Sequence, residues 1–195
     1  MASVEDEKAR LRKTARLARQ AAMAANGPAA ATALAQHGGE FFDTITHDHP
    51  LKVAGYVPSG SEIDPRQLLS ECRSRGWTVA LPVVVKENAP LVFRTWLQGD
   101  TLTEGAYGIP VPEEKVPEII PDIVLVPLLA YDHKGYRLGQ GGGFYDRTLP
   151  ILKSGRPSML AIGVAFTAQR FDAVPTGEFD HRLDAVITDE GWKHF

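Results

Sequence analysis

The sequence predicts an α/β fold of three layers, helix on sheet on helix, with a mostly parallel sheet in a single domain spanning 1–195. Three observations carry this. Short apolar segments alternate along the chain with segments of helical composition, the pattern of strands joined by helical crossovers. The runs Asp122 to Ala130 and Met159 to Phe166 are continuously apolar instead of alternating, so these strands need cover on both faces. Finally, 195 residues with 44% hydrophobic content suffice for one sizeable core and leave little for a second.

The elements follow in order. Residues 4–25 read as a helix because Ala, Leu, Arg, Lys and Gln dominate and no Gly or Pro intervenes before Gly27-Pro28. At about 100° per residue, Lys8, Arg12, Arg16 and Arg19 fall within roughly 80° of one another, beside an apolar stripe of Leu11, Ala15, Ala18 and Ala22. A basic row on a helix is commonly a solvated face. The adjoining stripe instead suggests that the helix docks on the body and turns its cations towards a cleft. Pro28 opens a second helix, capped by Asn26 or Gly27, that reaches about Asp43 and buries Leu34 and Phe41, with Ile45 beyond. His47-Asp48-His49 has metal-binding residue types, but it precedes a strand, abuts Pro50 and lacks distant partners, so it reads as an exposed loop.

Leu51 to Val57 is expected as a strand, and Asp64-Pro65 as the start of a helix burying Leu68, Leu69 and Cys72. Between them, Tyr56 to Ile63 forms a loop after a strand, where α/β sheets bind ligands. Glu62 therefore reads equally as a ligand contact or as an acid favoured by the helix dipole. Trp77 to Val85 and Leu91 to Leu97 are two more strands around an Asn88-Ala89-Pro90 turn. Residues 104–110 form a Gly-Pro loop carrying Tyr107, and 112–121 an extended acidic connection. After the strand at 122–127 come a glycine loop, a helix over Phe144 to Leu149, the strand 159–166 and a last strand, Ala185 to Thr188. The loop before it carries Asp180, which by itself reads as a turn carboxylate.

The bulk properties exclude several classes. A net charge of −3 argues against a general nucleic-acid binder. Cys72 is the only cysteine, so no internal disulfide can form, and a cytoplasmic setting is expected. No run approaches membrane-spanning length, and Glu5, Asp6 and Glu7 are unlike a secretory or transit segment. No obligate protein partner is implied.

The stretch with most chemistry is Arg137-Leu138-Gly139-Gln140-Gly141-Gly142-Gly143-Phe144-Tyr145-Asp146-Arg147, set between an apolar strand and a helix. Such glycines allow φ > 0 and bring successive amides close to an anion, and the helix start adds its dipole. It is not a P-loop, because Phe144-Tyr145 stand where Lys-Ser or Lys-Thr would be, nor a dinucleotide loop, which would need Gly or Ala at 144. Glycine alone serves a chain reversal equally well. Arg137, Arg147 and Asp146 beside it favour a phosphorylated ligand arriving with a divalent metal.

This stretch, with the preceding Val126-Pro127 and the Asp132…Gly135 spacing, resembles the motif of the 5-formyltetrahydrofolate cyclo-ligase (5,10-methenyltetrahydrofolate synthetase) family, and supporting segments extend the resemblance over roughly residues 8–189. The resemblance implies the same α/β architecture and a set of roles. Lys8 and Arg12, the early Lys-x-x-x-Arg pair, would contact ATP together with Arg137, Leu138, Gly139, Gln140, Gly141, Gly142, Gly143, Phe144 and Tyr145. Lys8, Arg12 and Arg137 would act on the transferred phosphoryl group. Val57, Glu62 and Tyr107 would contact the folate, Tyr107 by stacking where other members carry Trp or Phe. Asp146 and Asp180 would hold Mg²⁺. Gln140 departs from members with Arg there, and Gln169 and Pro175 match in spacing. His181 and Asp184 are taken as structural.

The implied reaction is cyclisation of 5-formyltetrahydrofolate to 5,10-methenyltetrahydrofolate, with ATP converted to ADP and phosphate through a phosphorylated formyl group. Two alternatives use the same residues: a sugar-phosphate isomerase or transferase, with Glu62 as base and no ATP consumed, and a nucleotide or folate carrier without turnover.

Overall fold

The computed structural model describes residues 3–195. The chain enters helix α1 (Val4–Phe42) through a reciprocal cap. The Asp6 N–H donates to Ser3 Oγ and the Ser3 N–H to the Asp6 carboxylate, both at 3.1 Å. The two helices expected here run on as one element with a break at Asn26 (φ −159°, ψ 34°), just before Gly27-Pro28. Proline removes an N–H and crowds the preceding turn, so the axis bends there. Beyond the bend, Ala30, Leu34, Phe41 and Phe42 are buried.

There follow β1 (Lys52–Ala54), α2 (Arg66–Ser74), β2 (Thr78–Val83), β3 (Val92–Thr95), the hairpin β4 (Leu102–Glu104) and β5 (Pro110–Pro112), and β6 (Ile123–Pro127). A second small hairpin, β7 (Ala130–Tyr131) with β8 (Arg137–Leu138), leads to α3 (Phe144–Gly155), β9 (Leu160–Ala165), β10 (Ala185–Thr188) and β11 (Gly191–His194). The main sheet has the order β11-β10-β9-β6-β1-β2-β3. Its five inner strands are parallel, and the edge strands β3 and β11 are antiparallel.

A separate core lies on each face of the sheet. Towards α1 and α2 the strands present Val53, Leu81, Leu125, Ile162 and Ile187, which pack with Phe41, Phe42 and Leu68. Towards α3 they present Ala54, Ala80, Val124, Ala161 and Ala165, which pack with Leu149 and Met159. Because strand side chains alternate between faces, each run supplies both cores, and the continuous apolarity of β6 and β9 follows. The three-layer expectation therefore holds.

Several boundaries differ from expectation. The Leu51–Val57 strand contracts to three residues, because the chain leaves the sheet at Gly55 to form the loop leading to Glu62. The helix expected to stop at Leu149 continues through Pro150 to Gly155. Three short pieces of sheet, the hairpins β4–β5 and β7–β8 and the edge strand β11, were read as loops or not foreseen. The His47-Asp48-His49 triplet is exposed, as expected. No helix among the described residues is long and apolar enough to cross a membrane.

The strand order determines where a ligand can sit. From β1 the chain builds outward through β2 to β3, and from β6 it builds the other way through β9 to β10. The direction reverses between β1 and β6, and the loops leaving adjacent strands there diverge to open a crevice.

Candidate active site

A cleft of about 1190 Å³ opens at this reversal, lined by Tyr56 and Val57 after β1, Val84 after β2 and Pro127 at the end of β6. All of the site residues expected from the sequence line it: Lys8, Arg12, Val57, Glu62, Tyr107, the stretch from Arg137 to Asp146, and Asp180. Residues far apart in the chain thus reach one cavity.

One end is cationic and rich in backbone donors. Gly141 (φ 112°) and Gly143 (φ 65°) occupy left-handed conformations that a side chain would strain. Gly143 caps α3 without any side chain capping the helix, so the first-turn amides depend on an external acceptor. The loop is braced from both sides. Arg12 Nε donates to the Gly139 carbonyl (3.2 Å), and Arg16 Nη2 to Gln140 Oε1 (3.3 Å). From α3, Arg147 donates to the Gly142 carbonyl (2.7 Å) and lies over the Phe144 ring at 5.0 Å. Gln140 thus acts here as the acceptor for Arg16.

The two aspartates face cations. Arg137, buried, donates from Nη2 to Asp146 Oδ1 (2.6 Å) and from Nη1 to the His181 carbonyl. Lys8 is only 8% exposed and donates to Asp180 Oδ2 at 2.6 Å, which also accepts from the Gly177 N–H at 2.6 Å. The described residues contain no cluster of three or more His, Cys, Asp or Glu side chains suited to a metal ion. Two hard carboxylates at this cationic, amide-rich end are nevertheless of the type that Mg²⁺ takes, since it usually accepts one or two carboxylates and draws its other ligands from phosphate and water.

The wall beside this end is apolar and aromatic. Tyr107 sits at φ 60° in a 3₁₀ turn between β4 and β5, is 72% exposed, and meets the edge of Phe144 at 5.9 Å between ring centroids. Val57, Leu81, Val84, Leu91 and Ile109 continue this wall. Burial pushes the Tyr145 phenol well above its usual range, assisted by the negative charge of Glu62, so it stays neutral at ordinary pH. Tyr56, raised for the same first reason, donates to the Ile63 carbonyl at 2.8 Å.

Glu62 is buried here and not a solvated helix-entry acid. Its Oε1 accepts from Arg19 Nη1 (3.3 Å) and its Oε2 from the Ser59 N–H (2.9 Å). Burial lowers the Arg19 pKa, Glu62 offsets only part of that shift, and the guanidinium remains charged. Arg19, Ser59 and the His181 carbonyl extend the site beyond the residues expected from the sequence, and Arg147, expected beside the glycine loop, braces it. Arg19 already stood in the basic row and Arg147 closed the glycine motif, so a signal existed for both. For Ser59 and for the His181 carbonyl there was none. Gln169 serves the fold, bonding the Leu128 and Leu129 carbonyls and the Phe166 N–H. Asp184 is also structural, accepting from Lys153 and from the Ala161 N–H.

The chain is similar along most of its length to known proteins. A profile of the 5-formyltetrahydrofolate cyclo-ligase family matches residues 4–189. The 5-formyltetrahydrofolate cyclo-ligase of Haemophilus influenzae is 31% identical over 167 residues, covering 80% of this chain and 88% of that protein. That of Escherichia coli K12 is 33% identical over 141 residues, covering 70% and 76%. Among solved structures, the Aquifex aeolicus 5,10-methenyltetrahydrofolate synthetase superposes with a TM-score of 0.75 at 26% identity, covering 96% of this chain and 92% of that one. A synthetase from Mycoplasma pneumoniae, at 22% identity and a TM-score of 0.72, shares the fold. With a match along nearly its whole length and the motif residues gathered in one cleft, this chain belongs to the 5-formyltetrahydrofolate cyclo-ligase family.

Proposed function

We propose that the protein is a ligase that cyclises 5-formyltetrahydrofolate to 5,10-methenyltetrahydrofolate, consuming ATP with Mg²⁺ and releasing ADP and phosphate. Besides family membership, one observation carries this reading: a single cleft joins a cationic, amide-rich end to an apolar, aromatic wall, as a reaction between a nucleotide and a ring-bearing substrate requires.

The formyl oxygen is a poor leaving group. In the proposed sequence it attacks the γ-phosphorus of ATP and ADP departs. The N10 lone pair then adds to the activated formyl carbon, and phosphate leaves with the C–O bonding electrons. Loss of the N10 proton leaves the five-membered methenyl ring. No protein nucleophile is needed, so alignment and charge compensation are the chain's contribution. Arg137, Lys8 and Arg12 take phosphate oxygens, and the amides from Gly141 to Tyr145 wrap the phosphate chain. Leu138, Gly139 and Gln140 carry the loop into place. Asp146 and Asp180 would hold Mg²⁺, which when bound offsets the charge of the β- and γ-phosphates. Val57 and Tyr107 contact the folate, Tyr107 by stacking, and Glu62 accepts hydrogen bonds from its ring N–H groups. A cytoplasmic setting accords with a lone, buried Cys72.

Glu62 also weighs against the isomerase alternative. Each of its oxygens already accepts a donor, an arrangement suited to a fixed acceptor and poorly suited to a base that must take up a proton. Purified protein given MgATP and 5-formyltetrahydrofolate should produce the methenyl chromophore with one phosphate per turnover. Binding without chromophore would favour a carrier, and either that or product without ATP consumption would overturn the proposal.

A further inference from the structure

The geometry points to Arg19 as a positioning residue for substrate recognition: from helix α1 it holds the Glu62 carboxylate in the orientation that meets the folate ring. This rests on the reading of Glu62 as a substrate contact. Arg19 is 4% exposed and Glu62 8%, so Glu62 lines the cleft with Arg19 buried behind it, and neither lies on a solvated surface. The guanidinium uses two separate donors. Nη1 reaches Glu62 Oε1 at 3.3 Å, and Nε reaches Ser61 Oγ at 3.1 Å, so both the carboxylate and the loop that carries it are tied to one rigid helix. The Ser59 N–H occupies the other carboxylate oxygen at 2.9 Å. With one donor on each oxygen, the carboxylate cannot rotate freely, and the remaining lone pairs are left for the cleft that Glu62 lines. A lysine could supply the charge but not the two-point hold, because its ammonium is a point donor without the planar fork.

The placement also separates functions along α1. Lys8 and Arg12 face Asp180 and the glycine loop, whereas Arg19, about 16 Å beyond Lys8 and about 10 Å beyond Arg12 along the helix axis, faces the loop after β1. Loss of Arg19 should therefore weaken the folate side and spare the nucleotide side.

The test uses the full chain in steady-state turnover, varying each substrate, with Arg19→Met, Arg19→Lys, Glu62→Gln and the double variants. Arg19→Met should raise KM for 5-formyltetrahydrofolate about tenfold or more, the loss expected for a charge-assisted hydrogen bond. KM for ATP should stay within about twofold, since the nucleotide contacts lie elsewhere. Arg19→Lys should fall between, and both effects should shrink to within about twofold in the Glu62→Gln background, because the charged carboxylate through which Arg19 acts is gone. Should Arg19→Met not fold, the same split and the same loss of effect in the Glu62→Gln background are required of Arg19→Lys. Equal changes in both KM values, or an undiminished effect beside Glu62→Gln, would overturn the assignment of Arg19 alone. A wild-type protein without turnover, or a Glu62→Gln variant with unchanged folate KM, would instead overturn the reading beneath it and the assignment with it.

Discussion

Replacing Gly143 by alanine tests the glycine loop where backbone geometry and proposed phosphate binding meet. Gly143 holds φ 65°, ψ 12° at the start of α3, and a Cβ there would lie 2.7 Å from Arg147 Nη1. The left-handed conformation costs an L-residue about 1–2 kcal/mol, partly offset by about 0.4–1 kcal/mol of lost freedom in the unfolded chain. Moving Arg147 also forfeits its 2.7 Å bond to the Gly142 carbonyl and its place over Phe144, together about 1 kcal/mol at a half-exposed site. The net loss is about 1–2.5 kcal/mol, a fall in Tm of about 2–10 °C for a chain of this size. If the first-turn amides bind phosphate, rotating them should raise the Kd for MgATP about tenfold or more, and that for 5-formyltetrahydrofolate much less. Gly155→Ala, at the far end of α3, is the control, since its Cβ would meet no atom within 4 Å and its backbone is not left-handed. Gly143→Asn should be milder than Gly143→Ala, because asparagine tolerates this conformation. Calorimetric titration and thermal melts of the three variants read both quantities. Wild-type MgATP affinity in all three would refute the phosphate cradle, and a wild-type Tm for Gly143→Ala would refute the strain argument.

Other substitutions address separate parts of the cleft. Arg12→Ala should raise the KM for ATP while shifting Tm by no more than a few degrees, since its one bond to the fold is to the Gly139 carbonyl; unchanged ATP affinity would make Arg12 a brace only. Asp146→Asn should lower turnover most at limiting Mg²⁺, and because it also removes the carboxylate facing buried Arg137 it should destabilise by about 1–3 kcal/mol, discounted for the partial exposure of Asp146. Turnover that does not recover towards wild type at high Mg²⁺ would assign the loss to the ion pair. Gly135→Ala should lower Tm strongly without a selective effect on either substrate, since φ is 84° and a Cβ would press within 3.0 Å of the Leu183 carbonyl and 2.8 Å of the Phe195 ring. A normal melt for that variant would contradict the packing described.

Much of this was legible in the sequence where a single local cause dominates. The runs forming β6 and β9 are apolar throughout because both faces are covered, and Gly27-Pro28 marks the bend in α1. The small hairpins were not legible because their causes are tertiary. The β7–β8 turn is wrapped around Asp132, whose carboxylate accepts from the Lys134, Tyr136 and Val174 N–H groups, the last from a distant loop. Strand β5 begins and ends in proline, which reads against a strand and is tolerated because this strand pairs on one side only. In the site, the identities of the cleft residues could be expected, whereas their pairing could not. Helical periodicity puts Lys8, Arg12, Arg16 and Arg19 on one face, but which of them is buried depends on where α1 crosses the body. That crossing buries Lys8 and Arg19 and leaves Arg16 exposed.

The contact between Lys8 and Asp180 joins residues 172 positions apart. During synthesis at about 5–20 residues per second, the first of these leaves the ribosome about ten to thirty seconds before the second. Through that interval Lys8 and Arg12 are exposed on a helix whose partners in the glycine loop and beyond do not yet exist. The loop that closes over them carries an entropic penalty growing with the logarithm of its length, and contacts this distant slow the final step of folding. If, as proposed, nucleotide binds to both ends of that loop, it can stabilise only a chain that has already closed it. Pulse-labelled nascent chains should therefore gain MgATP-dependent protection from protease only after residues 180–181 have cleared the exit tunnel.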